Sequence, residues 1–79
     1  MAPYLIKIAP HAFRQIRHLP FKQRRLVVKV IEALSINPRP PGARKVEGMV
    51  GLYCESINPF RLIYKIEEQE VWVLVVKSL

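Results

Sequence analysis

Apolar and polar positions alternate with a period of two through most of the second half of the chain, and that alternation predicts three consecutive strands. The first is Leu52–Ile57 (LYCESI), closed by a turn at Asn58-Pro59. The second is Phe60–Ile66 (FRLIYKI), closed by the charged turn Glu67-Glu68-Gln69-Glu70. The third is Val71–Lys77 (VWVLVVK). Tight turns between successive strands imply an antiparallel meander. In the second strand Phe60, Leu62, Tyr64 and Ile66 share one face, while Arg61, Ile63 and Lys65 share the other. The wholly apolar set is expected to face a layer of helices, which leaves Arg61 and Lys65 on an open face. In the first strand Tyr53 and Ile57 point inward with Glu55 between them. Either Glu55 is buried beside a partner or the strand is bulged. The third strand is apolar on both faces, which predicts a central position in the sheet.

The first half reads differently. Tyr4–Ile8 (YLIKI) is a short β-branched and aromatic run, closed by Ala9-Pro10, and predicts a strand with Tyr4, Ile6 and Ile8 on one face. Pro10 suits the first turn of a helix, where its missing N–H is no loss. Ala12, Phe13 and Ile16 form the apolar stripe of that short helix, which ends by Leu19-Pro20. A second helix is predicted from Phe21 to Ile36, with Leu26, Val27, Val30, Ile31 and Leu34 as its stripe. Its β-branched residues lower the intrinsic propensity, so packing must hold it. Asn37-Pro38 stops it, because the residue before proline avoids helical dihedrals. Asn37–Gly48 (NPRPPGARKVEG) carries three prolines and two glycines and is expected to be a loop without regular structure. The predicted fold is α+β in the order βααβββ: one domain over residues 1–79, with an α-hairpin packed on one face of the meander.

Seventy-nine residues suffice for one small core. No apolar run approaches the length of a membrane span, since Lys or Arg interrupts each one, and MAPYLIKI lacks the apolar core of a signal peptide. A cytoplasmic protein is the expectation. Cys54 is the only cysteine, so an internal disulfide is excluded. His11 and His18 stand at no useful spacing from it, so neither a metal site nor a cofactor is expected. His18 falls near the end of the first helix, where the dipole suits it. The charge is more informative. Thirteen basic residues against six acidic ones give +7 and a pI near 10.1. Ten of the basic residues precede position 46, whereas five of the acidic ones follow it. Such an excess suits an anionic partner: RNA, DNA or an acidic protein segment.

This order of elements carries specific residues. Ile8, Ala12 and Ile16 match an Ile-x-x-x-Ala-x-x-x-Leu/Ile run. After the second helix, SINPRPPGARKVEG supplies Asn37-Pro38, Gly42-Ala43, Lys45, Val46 and Gly48. In the hairpin, LYCESINPFRLIY supplies Leu52, Tyr53, Arg61 and Tyr64, and VWVLVVK follows as the last strand. On these residues, through nearly the whole chain, the sequence resembles the RelE/ParE superfamily of toxins from bacterial type II toxin–antitoxin systems. RelE-like members cut mRNA in the ribosomal A site, and ParE-like members poison DNA gyrase. The resemblance implies a catalytic role for Arg61, matching the strand arginine that steadies the scissile phosphate, and for Lys45. It implies that Arg39, Arg44, Lys65 and Lys77 bind nucleic acid. A guanidinium offers bidentate charge to the phosphorane-like transition state of 2′-OH attack.

The sequence also departs from the family pattern. Cys54 and Ser56 replace two arginines of the first hairpin strand, and the chain reads Lys77-Ser78-Leu79 where a further arginine, a histidine and a tyrosine are usual. Those groups supply charge and general acid–base function, and losing one costs a factor of about 10² to 10⁴. Tyr53, Tyr64 or Lys45 would have to substitute. The expected function is therefore a RelE-like toxin that cleaves mRNA on the ribosome, weakened by that departure. The alternatives are a ParE-like gyrase inhibitor, or a catalytically inactive member that binds antitoxin. The bland reading of Arg61 is a surface arginine paired with Glu55 or Glu67. Every toxin reading implies the same partner, a cognate acidic antitoxin whose segment folds onto the basic domain.

Overall fold

The computed structural model describes residues 3–78; Met1, Ala2 and Leu79 lie outside them. The N-terminal run forms strand β1 (Leu5–Ile8), followed by helices α1 (Pro10–Arg17) and α2 (Phe21–Ile36). Four strands follow: β2 (Ala43–Lys45), β3 (Leu52–Ile57), β4 (Phe60–Glu67) and β5 (Glu70–Ser78). They form one sheet in the order β1-β5-β4-β3-β2. β2 to β5 are antiparallel neighbours, and β1 runs parallel to β5 with Leu5 opposite Glu70 and Ile8 opposite Val73. The α+β architecture, the α-hairpin and the meander agree with the sequence reading.

The helices start and stop for local reasons. Pro10 occupies the first turn of α1, and His18 is its C-cap residue. α2 ends at Asn37, which is extended (φ −137°, ψ 97°) as a residue before proline should be. α1 buries Ala12 and Ile16 against the sheet, and α2 buries Val27, Ile31 and Leu34. From the sheet they meet Tyr53, Ile57, Phe60, Leu62, Tyr64, Val71, Val73 and Val76. Each fully buried Leu or Val contributes about 1.5–3 kcal/mol through removal from water. Gln15 on α1 accepts a hydrogen bond from the Val76 N–H at 2.8 Å, which fastens this helix to β5 beyond the end of β1. A register irregularity between Ile63 and Tyr64 lets both Val73 and Val76 reach the core.

Three expectations need correction. The 37–48 segment is not wholly irregular, because Ala43, Arg44 and Lys45 pair with Glu55, Cys54 and Tyr53. These three residues include neither proline nor glycine, so their N–H groups are free to join the edge of β3. Phe13 is 51% exposed rather than part of the buried stripe of α1. It lies one residue, about 100° of helix, from Ala12, and the Arg17 guanidinium stands 6.0 Å from its ring centroid. Leu26 is 39% exposed for the same geometric reason beside Val27. β5 is internal, paired on both edges, although β4 rather than β5 is the middle strand of five.

A basic open face of the sheet as the candidate functional site

The helices cover one face of the sheet, and the register assigns the other. On β4 the residues facing away from the helices are Arg61, Ile63 and Lys65. Arg61 stands between Ser56 of β3 and Lys77 of β5. Ile63 stands between Cys54 and Val75, and Arg44 of β2 lies next to Cys54 in the same row. Lys65 stands between Leu52 and Trp72, with Lys7 of β1 beyond Trp72. The open face is thus an apolar middle with cations on both sides. Arg44, Arg61 and Lys77 are all exposed. Strand spacings of about 4.8 Å and a rise of about 3.4 Å per residue put the Arg44 and Arg61 backbones roughly 12 Å apart.

Of the six basic positions singled out in the sequence, the structure brings four onto this face: Arg44, Arg61, Lys65 and Lys77. They are not equivalent. Lys65 forms an ion pair with Glu67 at 2.6 Å, the only one among the described residues. Glu70 lies near the same end and accepts a hydrogen bond from the Trp72 indole N–H at 3.0 Å. One end of the face is therefore of mixed charge, while the end with Arg61 and Lys77 is purely basic. Arg61 has no carboxylate partner among the described residues, so the pairing with Glu55 or Glu67 that its bland reading requires is not formed.

The remaining two positions lie elsewhere. Lys45 is paired with Tyr53, and the alternation along β2 directs it to the face opposite that of Arg44 and Arg61. Arg39 precedes β2, and its Nε–H donates to the Tyr53 hydroxyl at 3.0 Å on the helix side of the sheet. Both tyrosines considered as proton-transfer groups also face that side. Tyr53 and Tyr64 stack with centroids 5.8 Å apart and planes 18° apart. The Tyr64 hydroxyl donates to the Pro38 carbonyl at 2.8 Å, and burial pushes its pKa well above that of a free phenol. Neither hydroxyl is directed at a phosphate held by Arg61. Chemically, the end of the open face around Arg61 and Lys77 offers fixed charge and positioning, and the carboxylates among the described residues of this face, Glu67 and Glu70, stand at its other end. His11 and His18 both belong to the α1 region, away from it.

Glu55 resolves the two readings left by the sequence. The strand runs without a bulge here, with Glu55 opposite Leu62 and Ala43. Its side chain is therefore on the helix side, where Oε2 is buried without a hydrogen-bond partner and desolvation raises the carboxyl pKa. Lys7 and Trp72 are open-face residues that the sequence reading did not single out, although the alternation of LIKI and VWVLVVK placed them. No group of three or more His, Cys, Asp or Glu residues stands close enough to hold a metal among the described residues.

No family model matches the chain, and neither does any curated protein. Solved structures do. The RelBE2 toxin–antitoxin complex of Mycobacterium tuberculosis matches with a TM-score of 0.84 at 23% identity, over 98% of this chain and 99% of that one. The archaeal RelE–RelB complex of Pyrococcus horikoshii matches with a TM-score of 0.85 at 23% identity, over 96% and 94%. The isolated RelE toxin of Escherichia coli matches with a TM-score of 0.82 at 25% identity, over 95% and 83%. The sheet order, the α-hairpin and this likeness along almost the entire length agree: the protein has the RelE-like toxin fold.

Proposed function

We propose that this chain is the toxin of a type II toxin–antitoxin pair and acts in the RelE manner, on mRNA at the ribosome. The observation that carries the reading is Arg61, exposed on the open face beside Lys77 and free of any carboxylate partner among the described residues. In this reading an mRNA phosphate lies over the basic end of the face. Arg61 binds it in bidentate fashion, and Lys77 and Arg44 hold the flanking backbone. When a neighbouring 2′-OH attacks the phosphorus and the 5′ oxygen of the next nucleotide leaves, negative charge gathers on the phosphoryl oxygens. Arg61 stabilises that charge. No carboxylate or imidazole among the described residues stands beside Arg61 to take the 2′-OH proton, so it passes to water and water protonates the leaving 5′ oxygen, and cleavage is slower than in a site with a base by a factor of about 10² to 10⁴.

The acidic antitoxin belongs to the same reading. It is supported by the +7 charge and by the RelB partners named in the complexes above. The missing base also favours a second reading, in which the chain works by binding alone, as a gyrase inhibitor or as an inactive antitoxin-binding member. A cell-free translation reaction with primer extension on the mRNA separates the two. Ribosome-dependent cuts that vanish with Arg61→Ala support the mRNA reading. Intact mRNA and undisturbed translation sink it, and inhibition of gyrase supercoiling then becomes the measurement that counts.

A further inference from the structure

On the helix side of the sheet, remote from Arg61, Arg39 is exposed to solvent yet tied to its neighbours at both side chain and backbone. Its guanidinium lies 5.5 Å from the Tyr53 ring centroid, and its Nε–H donates to the Tyr53 hydroxyl at 3.0 Å. Tyr53 in turn stacks on Tyr64, whose hydroxyl is bonded to the carbonyl of Pro38, the residue before Arg39. Backbone and side chain are thus fixed through the same pair of rings. The Arg39 N–H is further tied to the Asn37 side-chain oxygen at 3.2 Å.

The terminal nitrogens of this fixed guanidinium have no carboxylate partner among the described residues. Three carbonyls at the end of α2 already accept hydrogen bonds from other donors. The Glu32 carbonyl accepts from the Ser35 hydroxyl, the Ala33 carbonyl from the Asn37 N–H and the Ser35 carbonyl from the Tyr4 N–H. Beside Arg39 opens a cleft of about 550 Å³ walled by Pro3, Tyr4, Ile36, Asn37, Pro38 and Gln69. Ile36 is 81% exposed at its rim.

From this arrangement we infer a second binding site, in which Arg39 receives the carboxylate of an acidic residue in an extended peptide segment of a partner protein. A preorganised guanidinium without an internal acid is built for an oxyanion. The walls decide which kind. Arg39 is the only charged side chain lining the cleft, whereas a nucleic-acid track neutralises a series of phosphates and needs several cations. Apolar Ile36 and Pro38 suit the flanking side chains of a peptide, and the amides of Asn37 and Gln69 suit its backbone. The site deepens the toxin–antitoxin reading, because an acidic antitoxin segment is such a peptide. Its geometry stands without that reading.

The test is a titration of the full-length, isotope-labelled chain followed by NMR at the Arg39 Nε–H and at the Tyr4, Asn37 and Gln69 amides. Three probes are used: acetyl-Leu-Glu-Leu-amide, its Gln counterpart, and pentauridylate. The expected result is a saturable shift of these signals with the Glu peptide, and binding of the Gln peptide weaker by about tenfold, the worth of one charge-assisted hydrogen bond. Equal binding of the two peptides overturns the inference, and so does the absence of any shift. A shift at Arg39 with pentauridylate stronger than with the Glu peptide also overturns it and makes the cleft a nucleic-acid site. No ribosome or mRNA enters the titration, so its outcome is independent of the cleavage assay.

Discussion

The Tyr64 hydroxyl donates to the Pro38 carbonyl at 2.8 Å, joining the middle strand of the sheet to the segment that leaves α2. Both residues are buried. The bond is the only route by which the Pro38 carbonyl meets a donor in the described structure, so its loss leaves a desolvated acceptor. Tyr64→Phe is expected to cost about 1–3 kcal/mol of stability. For a domain of this size that lowers Tm by about 4–8 °C per kcal/mol, read by calorimetry. An unchanged Tm would mean that water replaces the hydroxyl at no cost.

Gly51 is the second point at which the fold depends on one residue. Its φ is +79°, and a Cβ placed there would stand 3.2 Å from the Ile66 carbonyl oxygen. The Gly51 carbonyl also accepts from the Ile66 N–H at 2.9 Å, so the backbone cannot back away without losing the start of the β3–β4 pairing. Gly51→Ala should cost about 1–3 kcal/mol, measured by urea denaturation. Gly48, also at +79° but with open space around it, should be the more tolerant of the two.

Glu55 gives the stability a pH dependence. Burial penalises its carboxylate, so the folded chain keeps the proton to a higher pH than the unfolded chain does, whose value is near 4.5. Between those two pH values the folded state binds more protons. The stabilisation is full below the unfolded value and is lost as pH rises through the folded one. Glu55→Gln is expected to remove that loss and to raise Tm at pH 7 relative to the parent. Denaturation curves collected from pH 4 to pH 8 on both proteins read the difference. Parallel curves would refute the assignment to Glu55.

Arg61 and Lys45 were paired by the resemblance, yet the register separates them by a whole face of the sheet. In the proposed mRNA complex Arg61→Ala should therefore weaken oligoribonucleotide binding and lower the slope of log K against log salt by about 0.7, one phosphate contact. Lys45→Ala should leave that slope unchanged. Fluorescence titration at a series of salt concentrations measures both, and equal slopes for the two variants would place Lys45 on the phosphate path after all.

How much of this was legible in the sequence depended on period and length. The sixteen-residue α2 came out with its observed ends because the apolar period and the Asn37-Pro38 stop coincide. β3, β4 and β5 were legible from alternation and charged turns, to within a residue at each end. β2 was not. Three residues are too few to show alternation, and what makes them a strand is the edge of β3, which lies outside the segment. That omission also hid the division of the basic loop. Arg44 and Lys45 are neighbours in sequence but point to opposite faces once they lie in a strand. The position of Arg39 was equally hidden, since its partner Tyr53 is fixed by the β3–β4 register and not by any local pattern. The positions of Arg61 and Lys65, by contrast, were readable from the period of two, whereas Lys77 reaches the same face only through the register irregularity between Ile63 and Tyr64, which no local pattern announces.

The parallel pairing of β1 with β5 bears on how the molecule comes into being. The first strand of the chain has no partner until the last has been made. While a ribosome is still synthesising β4, the α-hairpin and β1 have only part of a sheet to rest on, and Val27, Ile31 and Leu34 lack the Val71 and Val73 that complete their core. Contacts so distant in sequence form late and all together. A protein proposed to act on ribosomes thus takes its working shape only after β5 has been translated.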